Sequence, residues 1–286
     1  MKHLLAIRDL SADDLRVILA LSEQPYARVL QGKGVALYFE KPSARTRNST
    51  ELAAAQLGGH PVYLQPNELG IGERETVEDV TRTLACYHAI IAARVFDHGL
   101  LEQMAALNAA PVLNMLSATD HPLQALADLL TIQQLMNRIE GVRVAFIGEA
   151  NNVARSVAEG CAMLGAHFVI ASPVGFGFGT PLPGVDQVED PAEAVDGSDI
   201  VYSDVWVSMG DKDSADRRNA FASYQVDAAL MDRAPNARFL HCLPARRGEE
   251  VTADVIDGPR SAVWRQAENR MHTARGAMLW LSGAAA

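Results

Sequence analysis

Short apolar runs recur along the chain, and most are followed by a stretch whose apolar residues fall three or four apart, the mark of strand followed by amphipathic helix. Ser11 opens the first helical segment, SADDLRVILALSE, as its cap, with Leu15, Ile18 and Leu19 at helical spacing. KGVALYF reads as a buried strand, STELAAAQL as a helix closed by Gly58 and Gly59, and HPVYLQ as a second strand. The alternation continues with helix TVEDVTRTLACY, strand YHAIIAARV, helix GLLEQMAAL and the short strand PVLNML. A long helix, HPLQALADLLTIQQLMN, leads into a second series.

That series opens with the strand VRVAFIG, a helix from Asn152 to Leu164 and the strand HFVIAS. A Gly- and Pro-rich loop runs from Pro173 to Gly184, followed by AEAVDGS, the strand DIVYSDV and a polar stretch from Ser208 to Ser223. Helix VDAALMD, strand ARFLHCL and the helix RQAENRMHTARGAMLWL complete the pattern. Two rounds of alternation predict an α/β protein of two doubly wound domains. Each has a mainly parallel sheet flanked by helices, and long helices link them, with a boundary near residues 133–140. Ligands of such sheets bind beyond the carboxyl ends of the strands.

Composition narrows the function. A net charge of −10 over 286 residues argues against nucleic acid and anionic membrane surfaces as partners, so any bound anion must be gripped locally. No apolar run approaches the roughly 18–20 residues that span a bilayer, and the N-terminal MKHLLAIRDLSADDL lacks the pattern of a secretory signal. Cys86, Cys161 and Cys242 are far apart and without ligand spacing, which disfavours a disulfide framework or structural zinc. The expectation is a cytoplasmic enzyme.

The candidate chemistry sits at strand ends. In LYFEKPSARTRNSTE a strand runs into a helix start that carries Ser43, Arg45, Thr46 and Arg47. A helix N-terminus offers unpartnered N–H groups and partial positive charge, so these residues suit an oxyanion such as phosphate. They read equally as a Ser-capped helix with two solvated arginines. Arg94 ends the strand in AARVFDH, and His121 and Gln124, three apart at a helix start, can both donate to a carbonyl or phosphate oxygen. FIGEANNVARS lacks the glycines of a dinucleotide site, and its Asn151 and Asn152 read as zwitterion ligands or as caps. In YSDVWVSMGD, Asp204 can pair with an ammonium group, or be an exposed acid in a turn. In HCLPARRGEEV, strand alternation sends His241 and Cys242 to opposite faces, which suits a substrate-contacting thiol better than a Cys–His dyad.

Taken in order, SARTR, HPLQ, GEANNVARS, DVWVSMG, HCLPARRGEEV and AENRMH resemble the signatures of the aspartate/ornithine carbamoyltransferase superfamily, and the Asp-x-x-x-Ser-Met-Gly loop resembles its ornithine branch. The resemblance covers essentially the whole chain. It implies a carbamoyl-phosphate-binding domain over residues 1–134, on which a C-terminal helix 266–286 packs back, and an ornithine-binding domain over 135–265. It implies transfer of the carbamoyl group of carbamoyl phosphate to the δ-amine of L-ornithine, giving citrulline and phosphate, by a homotrimer with no metal or organic cofactor. By the same resemblance Ser43, Ala44, Arg45, Thr46, Arg94, His121, Gln124, Cys242, Leu243 and Arg270 hold carbamoyl phosphate. Among these, Arg45, Arg94, His121, Cys242 and Arg270 take part in catalysis. Asn152, Asp204, Ser208 and Met209 hold ornithine.

Two positions depart from the pattern. Ala44 stands where the family usually has Thr, and Gly70 where many relatives have a Gln that reaches a neighbouring subunit's site. Arg74 in NELGIGERET is the first candidate to replace that Gln. A carbamoyltransferase for another amine, such as putrescine or lysine, and a catalytically silent binding paralogue are the alternative readings.

Overall fold

The computed structural model describes residues 1–207 and 214–284, and the chain divides into two compact units. One comprises Met1–Ala127 with the stretch from Asn269 onward, the other Asp128–Glu268. Both divisions fall inside helices, Pro122–Met136 and Val263–Leu281.

The first unit holds β1 (Gly34–Phe39), β2 (His60–Leu64), β3 (His88–Arg94) and β4 (Val112–Leu116). They form one parallel sheet in the order β2-β1-β3-β4. Its core joins Ala36, Tyr38, Ile91 and Ala93 of the sheet to Val80, Leu84, Leu101 and Met104 of the helices Val77–Tyr87 and His98–Ala106. The expected glycine stop after the second helix is present. Gly58, at φ +83°, donates to Ala55 O and Gly59 to Ala54 O, which satisfies the last carbonyls of Ala44–Gln56.

The second unit holds β5 (Arg143–Ile147), β6 (His167–Ala171), β7 (Val185–Val188), β8 (Ile200–Ser203) and β9 (Arg238–His241), parallel in the order β7-β6-β5-β8-β9. β7 escapes the pattern because its VDQV is partly exposed at the sheet edge and carries no apolar run. The polar stretch hides a second element, the helix Ala215–Phe221. Ser214 caps it, and it is anchored by the buried Phe221 ring against Trp206 and Tyr224. Tertiary packing of one aromatic supplies what helical periodicity does not show.

In each sheet the strand order reverses once, at β1/β3 and at β5/β8, and crevices form at the carboxyl ends of such switch points. Among the described residues no helix is long and apolar enough to cross a membrane.

Candidate functional site

At the β1/β3 switch point Ser43 caps the helix Ala44–Gln56, its Oγ accepting from the Thr46 N–H at 3.3 Å. Thr46 is buried, and its hydroxyl oxygen accepts from Arg94 Nη1 at 3.4 Å and Arg270 Nη2 at 3.1 Å. Arg94 comes from the end of β3 and Arg270 from the helix Val263–Leu281, so one threonine gathers two guanidinium groups remote in sequence. Arg270 Nη1 donates to Gln124 Oε1, which places Gln124 in the same cluster. Ala44 is the first helical residue, where backbone N–H groups have no intrahelical acceptor.

Arg94 and His121 both feel the positive charges of neighbouring arginines. Burial first, then the charges of Arg270 and Arg45, bring the Arg94 pKa down to about 10. Its Nε–H has no hydrogen-bond partner among the described residues. His121 is driven well below the ordinary histidine range by burial and then by Arg270, Arg94 and Arg45, so at neutral pH its ring is an uncharged donor or acceptor. Buried guanidinium groups that repel one another are costly until an anion joins them.

The turn leading to His121 is braced from the N-terminus. Arg8 donates to both carboxylate oxygens of the buried Asp120, at 2.5 and 3.0 Å, and Thr119 Oγ1 donates to it at 2.6 Å. The two arginines of the opening motif part company. Arg47 pairs with Glu51 at 2.7 Å and lies over the Tyr63 ring at 3.8 Å, while Arg45 is close enough to Arg94 and His121 to act on both.

At the β5/β8 switch point Asn151 caps the helix Asn152–Met163 through Oδ1, which accepts from Val153 and Ala154 N–H at 3.0 Å each. Its Nδ2 donates to Asp204 Oδ2 at 2.8 Å. Asp204, just past β8, accepts through Oδ1 from its neighbour Val205 N–H at 2.8 Å and from Cys242 Sγ at 3.0 Å. Asn152, the residue singled out in the sequence, begins the helix beside this cluster. Asn151, left between ligand and cap, does two jobs at once, and only the three-dimensional contact shows it. Ser208 and Met209 lie outside the described residues. Nearby, Arg217 donates to Trp206 O at 2.6 Å and pairs with Glu149 at 2.5 Å, fixing the turn after Asp204 to the one after β5. Leu243 adopts φ +60°, unusual for a residue with a side chain.

Asp204, His241 and Cys242 offer three ligand-type atoms within 4.8 Å of one another. His241 Nδ1, however, accepts from Leu243 N–H at 2.9 Å, and Nε2 faces Glu250 Oε1 at 3.1 Å. The trio is therefore a hydrogen-bonded network rather than an open ligand set, and His241 is not placed as a base for Cys242.

The Gly70 loop has its own physical logic. Gly70 sits at φ +59°, and a Cβ there would come within 2.8 Å of Arg74 Cβ, so a glutamine does not fit this backbone. Arg74 is turned inward on its loop, donating to Glu68 O at 2.6 Å and Leu69 O at 3.3 Å.

Comparison with known proteins decides the family. Residues 2–134 match the family model for the carbamoyl-P binding domain of aspartate/ornithine carbamoyltransferase, and residues 140–281 its Asp/Orn binding domain. The chain belongs to the aspartate/ornithine carbamoyltransferase family. Among curated relatives, an ornithine carbamoyltransferase from Hyperthermus butylicus is 46% identical over 97% of this chain and 96% of its own. One from Bacillus subtilis is 44% identical over 95% and 91%. Among solved structures, ornithine carbamoyltransferase from Pyrococcus furiosus superposes with a TM-score of 0.93 at 39% identity, covering 100% of this chain and 98% of that one. The Thermus thermophilus ornithine carbamoyltransferase gives 0.90 at 42%, covering 98% and 99%. The family expected from the motifs and the two-sheet α/β fold are both borne out. Within this family fold, each cluster occupies the switch point of its own sheet.

Proposed function

We propose that the chain is an ornithine carbamoyltransferase, moving the carbamoyl group of carbamoyl phosphate to the δ-amine of L-ornithine and releasing L-citrulline and phosphate. The observation that carries the reading is the convergence of Arg94 and Arg270 on the Thr46 hydroxyl at a capped helix N-terminus, with Arg45 and His121 in electrostatic reach. A phosphate dianion complements guanidinium groups and helix N–H groups arranged in this way.

Ser43, the Ala44 backbone, Arg45, Thr46 and Arg94 hold the phosphate, and Gln124 and Arg270 complete the grip. As the C–O bond breaks, charge grows on the leaving phosphate, and preorganised guanidinium groups stabilise it without reorganising. The neutral His121 ring can donate to the carbonyl oxygen without adding a fourth cation. Asn152 and Asp204, with Ser208 and Met209, hold the amino-acid end of ornithine, and Cys242 and Leu243 line its reacting end. Asp204, oriented by Asn151 and Cys242, is the counter-charge for the α-ammonium. The attacking amine must be neutral, and the bound phosphate is a suitable acceptor for its proton. The family resemblance supports a trimer and a cytoplasmic setting.

The test is citrulline formation with ornithine, putrescine and lysine assayed side by side, in the natural chain and in Asp204→Ala. Ornithine is expected to dominate, and the substitution to lower kcat/KM for it by more than about 2 kcal/mol, the scale of a lost charged hydrogen bond. Equal turnover of putrescine, or an undiminished Asp204→Ala variant, overturns the substrate assignment.

A further inference from the structure

The loop that follows β9 carries Cys242 and Leu243, and something must hold Leu243 in the left-handed region, which residues with a Cβ avoid. The holding group is the preceding histidine. His241 is buried, and its Nδ1 lies 2.9 Å from the Leu243 N–H. A backbone N–H can only donate, so Nδ1 carries no proton and the ring proton is on Nε2, aimed at Glu250 Oε1 at 3.1 Å. The same carboxylate oxygen accepts from Arg246 N–H at 2.6 Å, so imidazole and carboxylate together hold both ends of the turn 243–246.

Each member is anchored on the far side. Glu250 O accepts from Val226 N–H at 2.9 Å, and the carboxylate is fully buried. His241 N–H donates to Gln266 Oε1 at 2.9 Å. Gln266 in turn donates to Asp128 at 2.7 Å, and the Tyr202 hydroxyl donates to the other oxygen of Asp128 at 3.0 Å. Two ionisable groups buried this completely are expensive as mere filling.

We infer that His241, backed by Glu250, is a positioning residue: it fixes the Leu243 backbone, and through it the Cys242 thiol and the neighbouring peptide groups, in the geometry that carbamoyl transfer requires. This rests on the proposed function, because the readout is that reaction.

The experiment compares His241→Ala with His241→Asn. Both lose the link to Glu250, but the asparagine side-chain oxygen keeps an acceptor where Nδ1 stood. His241→Ala is expected to lower kcat about 100-fold, the scale of a misplaced reacting group, with inorganic phosphate binding unchanged. His241→Asn is expected to recover at least about ten-fold of that loss. A purely structural role makes the two variants equal, and equal losses overturn the inference. So does a folded His241→Ala with undiminished kcat. Nitrogen NMR of the imidazoles in the natural protein needs no variant. A proton on His241 Nε2 alone supports the inference, and a proton on Nδ1 overturns it even if neither variant folds. Absence of citrulline formation by the natural chain sinks the proposed function instead, and leaves the NMR result to stand by itself.

Discussion

Asn151 ties a helix cap to the Asp204 carboxylate: Oδ1 receives two N–H groups of the helix Asn152–Met163 while Nδ2 donates to Asp204 Oδ2 at 2.8 Å. The amide is the one side chain of this size that can do both, since aspartate caps as well but cannot donate. Asn151→Asp should therefore leave thermal stability within about 0.5 kcal/mol through the cap. It should also place a second carboxylate against Asp204 and lower kcat/KM for ornithine by about 2 kcal/mol or more. Steady-state kinetics and a thermal melt on the same preparation check this. A large melting change with normal ornithine kinetics contradicts it.

Substitution of Arg94 should separate binding from stability. Its pKa is depressed, so the unfolded chain binds this proton more readily than the folded one, and folding stability rises as pH climbs from about 10 toward the ordinary arginine value. At neutral pH the charged side chain is a burden on the unliganded fold. Arg94→Gln is expected to melt no lower than the natural protein without ligand. It should bind phosphate more weakly by about 2–3 kcal/mol, roughly 30- to 150-fold. Calorimetric titration with phosphate and unliganded melts test both halves.

The pH dependence of the reaction should belong to the substrate. The ornithine δ-amine resembles lysine, with a reference pKa near ~10.4, and only its neutral form attacks. Activity at low ornithine is expected to climb from pH 6 to 8. His121 is held neutral by burial and the surrounding arginines, so His121→Gln should lower kcat while leaving that slope in place. A slope that vanishes in the variant would make His121 the titrating group.

The brace on the His121 turn predicts an effect at a distance. Arg8→Ala leaves the buried Asp120 without its bidentate partner. Loss of one partner of such a pair costs about 3 kcal/mol or more when both are buried, and less here because Arg8 is partly exposed. The expected outcome is a lower melting temperature together with a raised KM for carbamoyl phosphate. A normal KM in a destabilised protein would confine Arg8 to stability.

The sequence by itself determined most of the alternation of strand and helix and the placement of Ser43, Arg94, His121, Asn152, Asp204 and Cys242 at or just beyond strand ends. Both are written in local periodicity and capping residues, Ser11, Ser43 and Gly58 among them. It also determined the family, because the motifs in series carry more information than any one of them. What it left level, whether Arg45 and Arg47 gather with other groups or stand as solvated side chains, depends on contacts that only the tertiary structure shows. Arg45 and Arg47 are equivalent on paper, but two positions along a helix turn a side chain through about 200°, so one joins the cluster and the other pairs with Glu51. Arg94 could be read as a surface charge until β3 was seen to bury its end between β1 and β4. The strand β7 and the helix Ala215–Phe221 have too few apolar residues to announce themselves, and they form because a neighbouring strand and a buried aromatic stabilise them. The dual role of Asn151 and the His241–Glu250 brace are likewise contacts that no local spacing signals. Hydrogen bonds of that kind exist only once the chain has folded, because burial makes their partners obligatory.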